Sequence, residues 1–215
     1  MNPTTSMHSA RVVWRHLALT APVAACGSFA ANWASDNPMT VLLAALKLSA
    51  ALILMSRLFF GDSNLFQREQ SFSAAPTQRL RREDPVSRAL LLLQGIGMLA
   101  LGCTIGVKEP SLFPAIFSFL VVVNVVWLAL RVQRNLEVVR DLSHEPNHRD
   151  EVRELLAWTD CMVRWLINNV LFLATTFVVF LLIGNNMALY FGAILVSSAL
   201  DFGLTHRYYQ DSDNI

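Results

Sequence analysis

The sequence predicts an all-α integral membrane protein: six transmembrane helices arranged as three quasi-repeated antiparallel hairpins, with both termini on the cytoplasmic side. Three observations predict it. The 215 residues are 54% apolar and only 15% charged, with a mean hydropathy of +0.43, which is too apolar for a soluble domain of this length. A unit made of an arginine, an apolar run, a short polar turn, a second apolar run and a closing arginine recurs over 15–57, 88–131 and 164–207, a period of about 75 residues. A leucine stands two positions after each opening arginine, as Leu17, Leu90 and Leu166. Finally, of 17 Lys and Arg, all but Lys47 and Lys108 lie before the first apolar run, between or at the edges of the units, or after the last run. The positive-inside rule then places the loops 61–87 and 131–164 in the cytoplasm.

The candidate spans are 16–34, 40–60, 89–107, 111–130, 165–183 and 187–204, each close to the run of about 20 residues that crosses a bilayer. Backbone groups in hydrocarbon need internal partners, so the spans are helices. They occupy so much of the chain that 1–215 reads as a single polytopic membrane domain. Span one is the most dilute, with Thr20, Pro22, Ser28 and Asn32. The stretch ending Val23-Ala24-Ala25-Cys26 resembles a lipoprotein signal peptide whose cleavage would leave five spans. Pro22 breaks its apolar core, and Arg15 and Pro38 keep the spacing of the other hairpins, so a retained helix is expected.

The outer turns, Ser35-Asp36-Asn37-Pro38, Lys108-Glu109-Pro110 and Gly184-Asn185-Asn186, hold residues that end one helix and cap the next. Spans three and one carry small residues at helical spacing, Gly102 and Gly106 in one and Gly27 and Ala31 in the other, which suits close packing within the chain. Trp33 and Tyr190 are expected at the outer boundary and Trp14, Trp127, Trp158, Trp165, Tyr208 and Tyr209 at the inner one, as an aromatic belt.

The loop 61–87 shows no sustained period and reads as largely irregular. In 131–164, Leu136, Val139 and Leu142 recur at helical spacing, and 150–163 reads as a helix entering span five, with Asn147 as its cap and Asp150 and Glu151 in the first turn.

Cys26, Cys103 and Cys161 are too scattered for a disulfide framework or a zinc knuckle. The acidic residues within the basic loops, and a net charge of +1, argue against nucleic acid as a partner. No nucleotide loop, serine-protease motif or intramembrane histidine pair for haem is present, so no cofactor is implied. A non-enzymatic role is favoured.

His144-Glu145-Pro146-Asn147-His148 matches the H-E-x-x-H pattern, in which a helix presents two histidines to zinc and a glutamate to water. Pro146 removes a donor from any such helix and the flanks are solvated, so the segment reads as a turn. A metallohydrolase built on His144 and His148 is the remotest reading.

The closing and opening arginines serve as a depth scale for the polar side chains. Thr20, Gln94, Asn168 or Asn169, Asn124 and Asp201 all fall about 6 to 10 Å inside the inner boundary at a rise of 1.5 Å per residue. Buried polar groups face the bundle and are often functional. Asp201 leads the candidates for binding a cation or proton, with Asn124, Asn169 and Gln94 lining the same path; the structural alternative is that these amides bond across helices while Asp201 pairs with Arg207 or Arg164. Lys47 falls alone near mid-membrane, where it lines the path or else snorkels to the outer interface or serves an oligomer contact. The functional expectation is therefore a small channel or transporter of a plasma (bacterial inner) membrane. The alternative is a non-catalytic subunit or effector that meets the lipid bilayer and a protein partner, or a second copy of itself, through helix packing and its cytoplasmic loops.

Overall fold

The computed structural model describes residues 3–33, 37–71, 85–109, 111–183 and 186–210; the side chains of 3–9, 65, 67–71, 146, 179–180, 183, 188, 201–202 and 204–210 lie outside the described set. Among the described residues there are six α-helices and no strand. They are α1 (Pro3–Trp33), α2 (Pro38–Ser71), α3 (Pro85–Cys103), α4 (Leu112–Leu142), α5 (Arg149–Ile183) and α6 (Met187–Gln210), with a 3-10 turn at Pro146–His148 before α5.

Helix starts follow local chemistry. Pro38 and Pro85 open α2 and α3, positions where the missing N–H costs nothing. Asn37 caps α2 by accepting from the Met39 N–H at 3.0 Å, and Asn186 caps α6 by accepting from the Leu189 N–H at 3.3 Å. Asp150 and Glu151 stand in the first turn of α5, where carboxylates meet the positive end of the helix dipole.

Among the described residues, four helices are long and apolar enough to cross a membrane, over Pro38–Asn64, Pro85–Cys103, Leu112–Leu142 and Arg149–Val178, and α6 contains a shorter apolar stretch, Leu189–Leu200. Helix α1, diluted by its polar residues, does not reach that apolarity. Large apolar side chains point outward along most of the bundle, among them Val23, Phe119, Leu171, Leu182 and Leu200. An apolar exterior this extensive is what lipid, rather than water, accommodates.

The helices form a ring in which α1 touches α3, then α4, α5, α6 and α2 follow, and α2 returns to α1; α2 also reaches α3 and α4 across the ring. The most extensive contact is α1 against α3. It is a small-residue seam: Ala18, Ala21 and Ala25 of α1 are buried. A Cβ on Gly102 would lie 2.7 Å from the Ala21 carbonyl oxygen and 3.1 Å from the Ala25 nitrogen. Only glycine permits that backbone approach. Gly106 lies in the turn beyond α3, where its N–H donates to Ser28 Oγ at 2.8 Å, and that hydroxyl donates to the Cys103 carbonyl at 3.3 Å. The seam differs from expectation on α1, since Gly27 and Ala31 are exposed and Ala21, Ala25 and Ser28 take their place.

One boundary differs from the expected spans: helix α2 continues past Phe60 to Ser71. Helix α4 runs on to Leu142, taking in the helical spacing of Leu136, Val139 and Leu142, and α5 begins at Arg149, within a residue of the expected start. The described part of the first loop is therefore helical up to Ser71, while 72–84 lie outside the described residues. A span ends where apolarity ends, but a helix does not, because its hydrogen bonds are internal. Asn147 falls within the 3-10 turn instead of capping α5, and Glu145 precedes that turn.

Candidate functional site

The end of the ring that carries Arg57, Arg88 and Arg131 holds a buried polar cluster walled by five helices. On α2 the inward stripe Ala51, Leu54, Leu58 continues at helical spacing to Gly61 and Asp62, so a carboxylate lands where a core leucine would be expected. Asp62 and Gln94 are both 0% exposed and Arg131 is 2% exposed. Gln94 Nε2 on α3 donates to Asp62 Oδ2 at 2.6 Å. The Arg131 guanidinium on α4 attracts the same carboxylate electrostatically. Asp62 Oδ1 and Gln94 Oε1 have no hydrogen-bond partner among the described residues.

Aromatic rings wall this group. Trp14 of α1 stacks on Phe59 with centroids 5.9 Å apart and meets the edge of Phe66 at 5.6 Å; Phe66 in turn meets Trp127 of α4 at 6.2 Å. Arg11 lies 4.2 Å over the Phe66 ring and Arg131 lies 5.2 Å from the Trp127 centroid, both within cation–π range. The Trp165 ring of α5 occupies the space where a Cβ on Gly61 would sit. Glycine at 61 is what lets α5 close over α2.

A second polar layer lies farther from that end, seven residues along α4 from Arg131 and four along α5 from Trp165. Asn124 Nδ2 donates to Asn169 Oδ1 at 3.2 Å, and Asn169 Nδ2 donates to the Trp165 carbonyl at 2.9 Å. Both residues are buried, and Asn124 Oδ1 has no partner among the described residues. Arg57 is buried too, 5.2 Å over the Phe172 ring.

The other sequence candidates are placed differently. Thr20 is exposed and its hydroxyl donates to carbonyls of its own helix, those of His16 and Leu17, each at 3.0 Å. Asp201 lies on α6, and its side chain is outside the described residues. Lys47 is buried and its Nζ donates to the Val107 carbonyl at 2.9 Å. That carbonyl lies just past the turn 104–106 that follows α3, so Lys47 ties α2 to the connection between α3 and α4, at the opposite end of the bundle from Arg88.

Two assumptions of the depth scale fail. Arg57 and Arg131, taken as boundary markers, are interior residues. Trp14, Trp127, Trp158, Trp165 and Tyr190 are buried inside the bundle rather than forming a belt, whereas Trp33 is exposed. Counting along a helix gives height but not the direction a side chain faces. Asp62 was missed because it was assigned to the loop after Phe60. The unbroken i, i+4 series Leu54, Leu58, Asp62, Phe66 was the signal available for it.

The His144–His148 segment forms a turn. His148 Nδ1 meets Glu151 Oε2 at 2.5 Å and its Nε2 lies 3.3 Å from Glu145 Oε2. Residues 146–148 make a 3-10 turn, so the two histidines share no α-helical face. Among the described residues no group of three potential metal ligands occurs.

No family model, no curated protein and no solved structure matches the chain.

Proposed function

We propose that the chain is a single polytopic membrane domain of three hairpins, with both termini in the cytoplasm of a bacterial cell, that moves a proton or small cation through the polar interior of its helix ring. The observation that carries this reading is Asp62, a fully buried carboxylate on a membrane-length helix, held through one oxygen by Gln94. A buried carboxylate within a membrane helix is costly, and function is the usual reason for retaining one. Asn124 and Asn169 extend the polar track outward. Asp201 belongs to the same proposed path, since α6 packs against α2. Lys47 stands beyond its outer end, tied to the Val107 carbonyl.

Flux into reconstituted vesicles tests the proposal. The wild-type chain should acidify or load the vesicles, and Asp62→Asn should reduce the rate to the background leak. Equal rates, or none from either protein, remove the transport reading. Cysteines placed near 75 and 145 should be labelled from the same side; labelling from opposite sides rejects the topology.

The second reading, a membrane subunit or effector, draws support from a groove of about 420 Å³ on α4 and α5, lined by Ala129, Val132, Leu136 and Leu166 and by Gln133, Glu137 and Arg140. Light scattering in detergent tests it for self-association: Leu136→Lys should lower the mass, and a monomeric wild type rejects an interface between copies.

A further inference from the structure

We infer that Asp62 and Gln94 form a proton-holding pair: a proton on Asp62 Oδ1 is donated to Gln94 Oε1 while Gln94 Nε2 donates to Asp62 Oδ2, closing a cyclic acid–amide ring between α2 and α3. The inference rests on the intramembrane site proposed above and names the species it takes. Half of the ring is already in place, since Gln94 Nε2 lies 2.6 Å from Asp62 Oδ2. The two atoms that would complete it, Asp62 Oδ1 and Gln94 Oε1, are the ones with no partner among the described residues. Both are acceptors, and one added hydrogen shared between them would satisfy both. Rotating the amide gives no relief, because it would set Oε1 against a carboxylate oxygen.

A proton fits this pair better than a metal ion. Hard cations need six or more oxygen ligands, whereas the pair offers two open oxygens, and no cluster of three metal-ligating side chains occurs among the described residues. The step is balanced without a co-reactant: hydronium from the inner aqueous phase gives its proton to Oδ1, an O–H bond forms, and water is returned.

Charged groups around the pair set its two states. From α4, Arg131 attracts the ionised carboxylate. From α1, Arg11 lies over Phe66, one turn along α2 from Asp62. Half-buried Arg88 stands on α3 and Arg57 on α2 itself, the latter over Phe172. Helix α5 brings Trp165 against Gly61, and its nearby Arg164 pairs with Asp160 at the exposed surface, 2.7 Å away. On α6, Asp201 lies outside the described side chains. The ionised carboxylate is held by Gln94 and attracted by Arg131 together; proton uptake weakens the attraction of α4 and adds a second bond to α3.

Infrared difference spectroscopy of the full chain in vesicles, with carbon-13-labelled aspartate, tests this. As pH falls, a protonated-carboxyl C=O band should grow. It should be lost in Asp62→Asn and displaced to higher frequency in Gln94→Leu, where the ring cannot form. Gln94→Asn, which keeps the amide on a shorter arm, should give an intermediate shift, and circular dichroism confirms that each variant stays helical. Absence of an Asp62 band across the pH range in which the helices persist overturns the inference, as does a band indifferent to both Gln94 variants. A band without vesicle flux leaves the pair standing and rejects transport; flux without a band does the reverse.

Discussion

Replacing Gly102 by alanine probes the seam on which the ring closes. The new Cβ would sit 2.7 Å from the Ala21 carbonyl oxygen, 3.1 Å from the Ala25 nitrogen and 3.4 Å from the Ala25 Cβ. The first of these is roughly 0.7 Å inside ordinary contact distance. The obstructing atoms are backbone atoms of a helix, so no side-chain rotation relieves the clash and α1 must move off α3. Overpacking of this kind costs about 1 to 3 kcal/mol. Gly27 supplies the control on the opposite face of α1, since nothing lies within 4 Å of a Cβ there. Gly27→Ala should stabilise the chain by about 0.5 to 1 kcal/mol, because alanine loses less backbone entropy in a helix. The assay is reversible unfolding in mixed micelles, followed by helical circular dichroism. If Gly102→Ala and Gly27→Ala shift the transition equally, α1 does not lie on α3 as described.

Two further perturbations test the polar contacts. Lys47→Met removes the donor to the Val107 carbonyl and should cost about 0.5 to 1.5 kcal/mol in the same assay, with vesicle flux retained; lost flux at unchanged stability would make Lys47 part of the path instead of a tie between α2 and the connection after α3. For the Asn124–Asn169 pair, a double-mutant cycle with leucine at each position should give a coupling energy of about 0.6 kcal/mol, as is typical of interhelical hydrogen bonds in membranes; a coupling of zero would mean that the two amides do not meet.

Much of the architecture was legible from composition and punctuation. An apolar exterior, helices as the secondary structure and the caps at Asn37 and Asn186 follow from solvent and local chemistry, which a linear sequence records directly. The buried amides Gln94, Asn124 and Asn169 stood out because a polar group within an apolar run is conspicuous. Asp62 did not stand out, for the opposite reason: its neighbours Ser63 and Asn64 are polar, so the helix carrying it lost its apolar signature before it lost its inward face.

What the sequence determined by itself is the solvent and the helical state, because hydrocarbon forces every backbone donor and acceptor to pair within its own segment. The tertiary structure decided which way each side chain turns. It turned Arg57, Arg131 and four tryptophans inward, into the bundle, and it joined Asp62 to Gln94 across two helices, 32 residues apart in the chain. The physical reason is rotational. Height along a helix is set by counting residues, but the facing direction is set by which neighbour's surface is complementary, and here the small residues of α1 and α3 chose that neighbour.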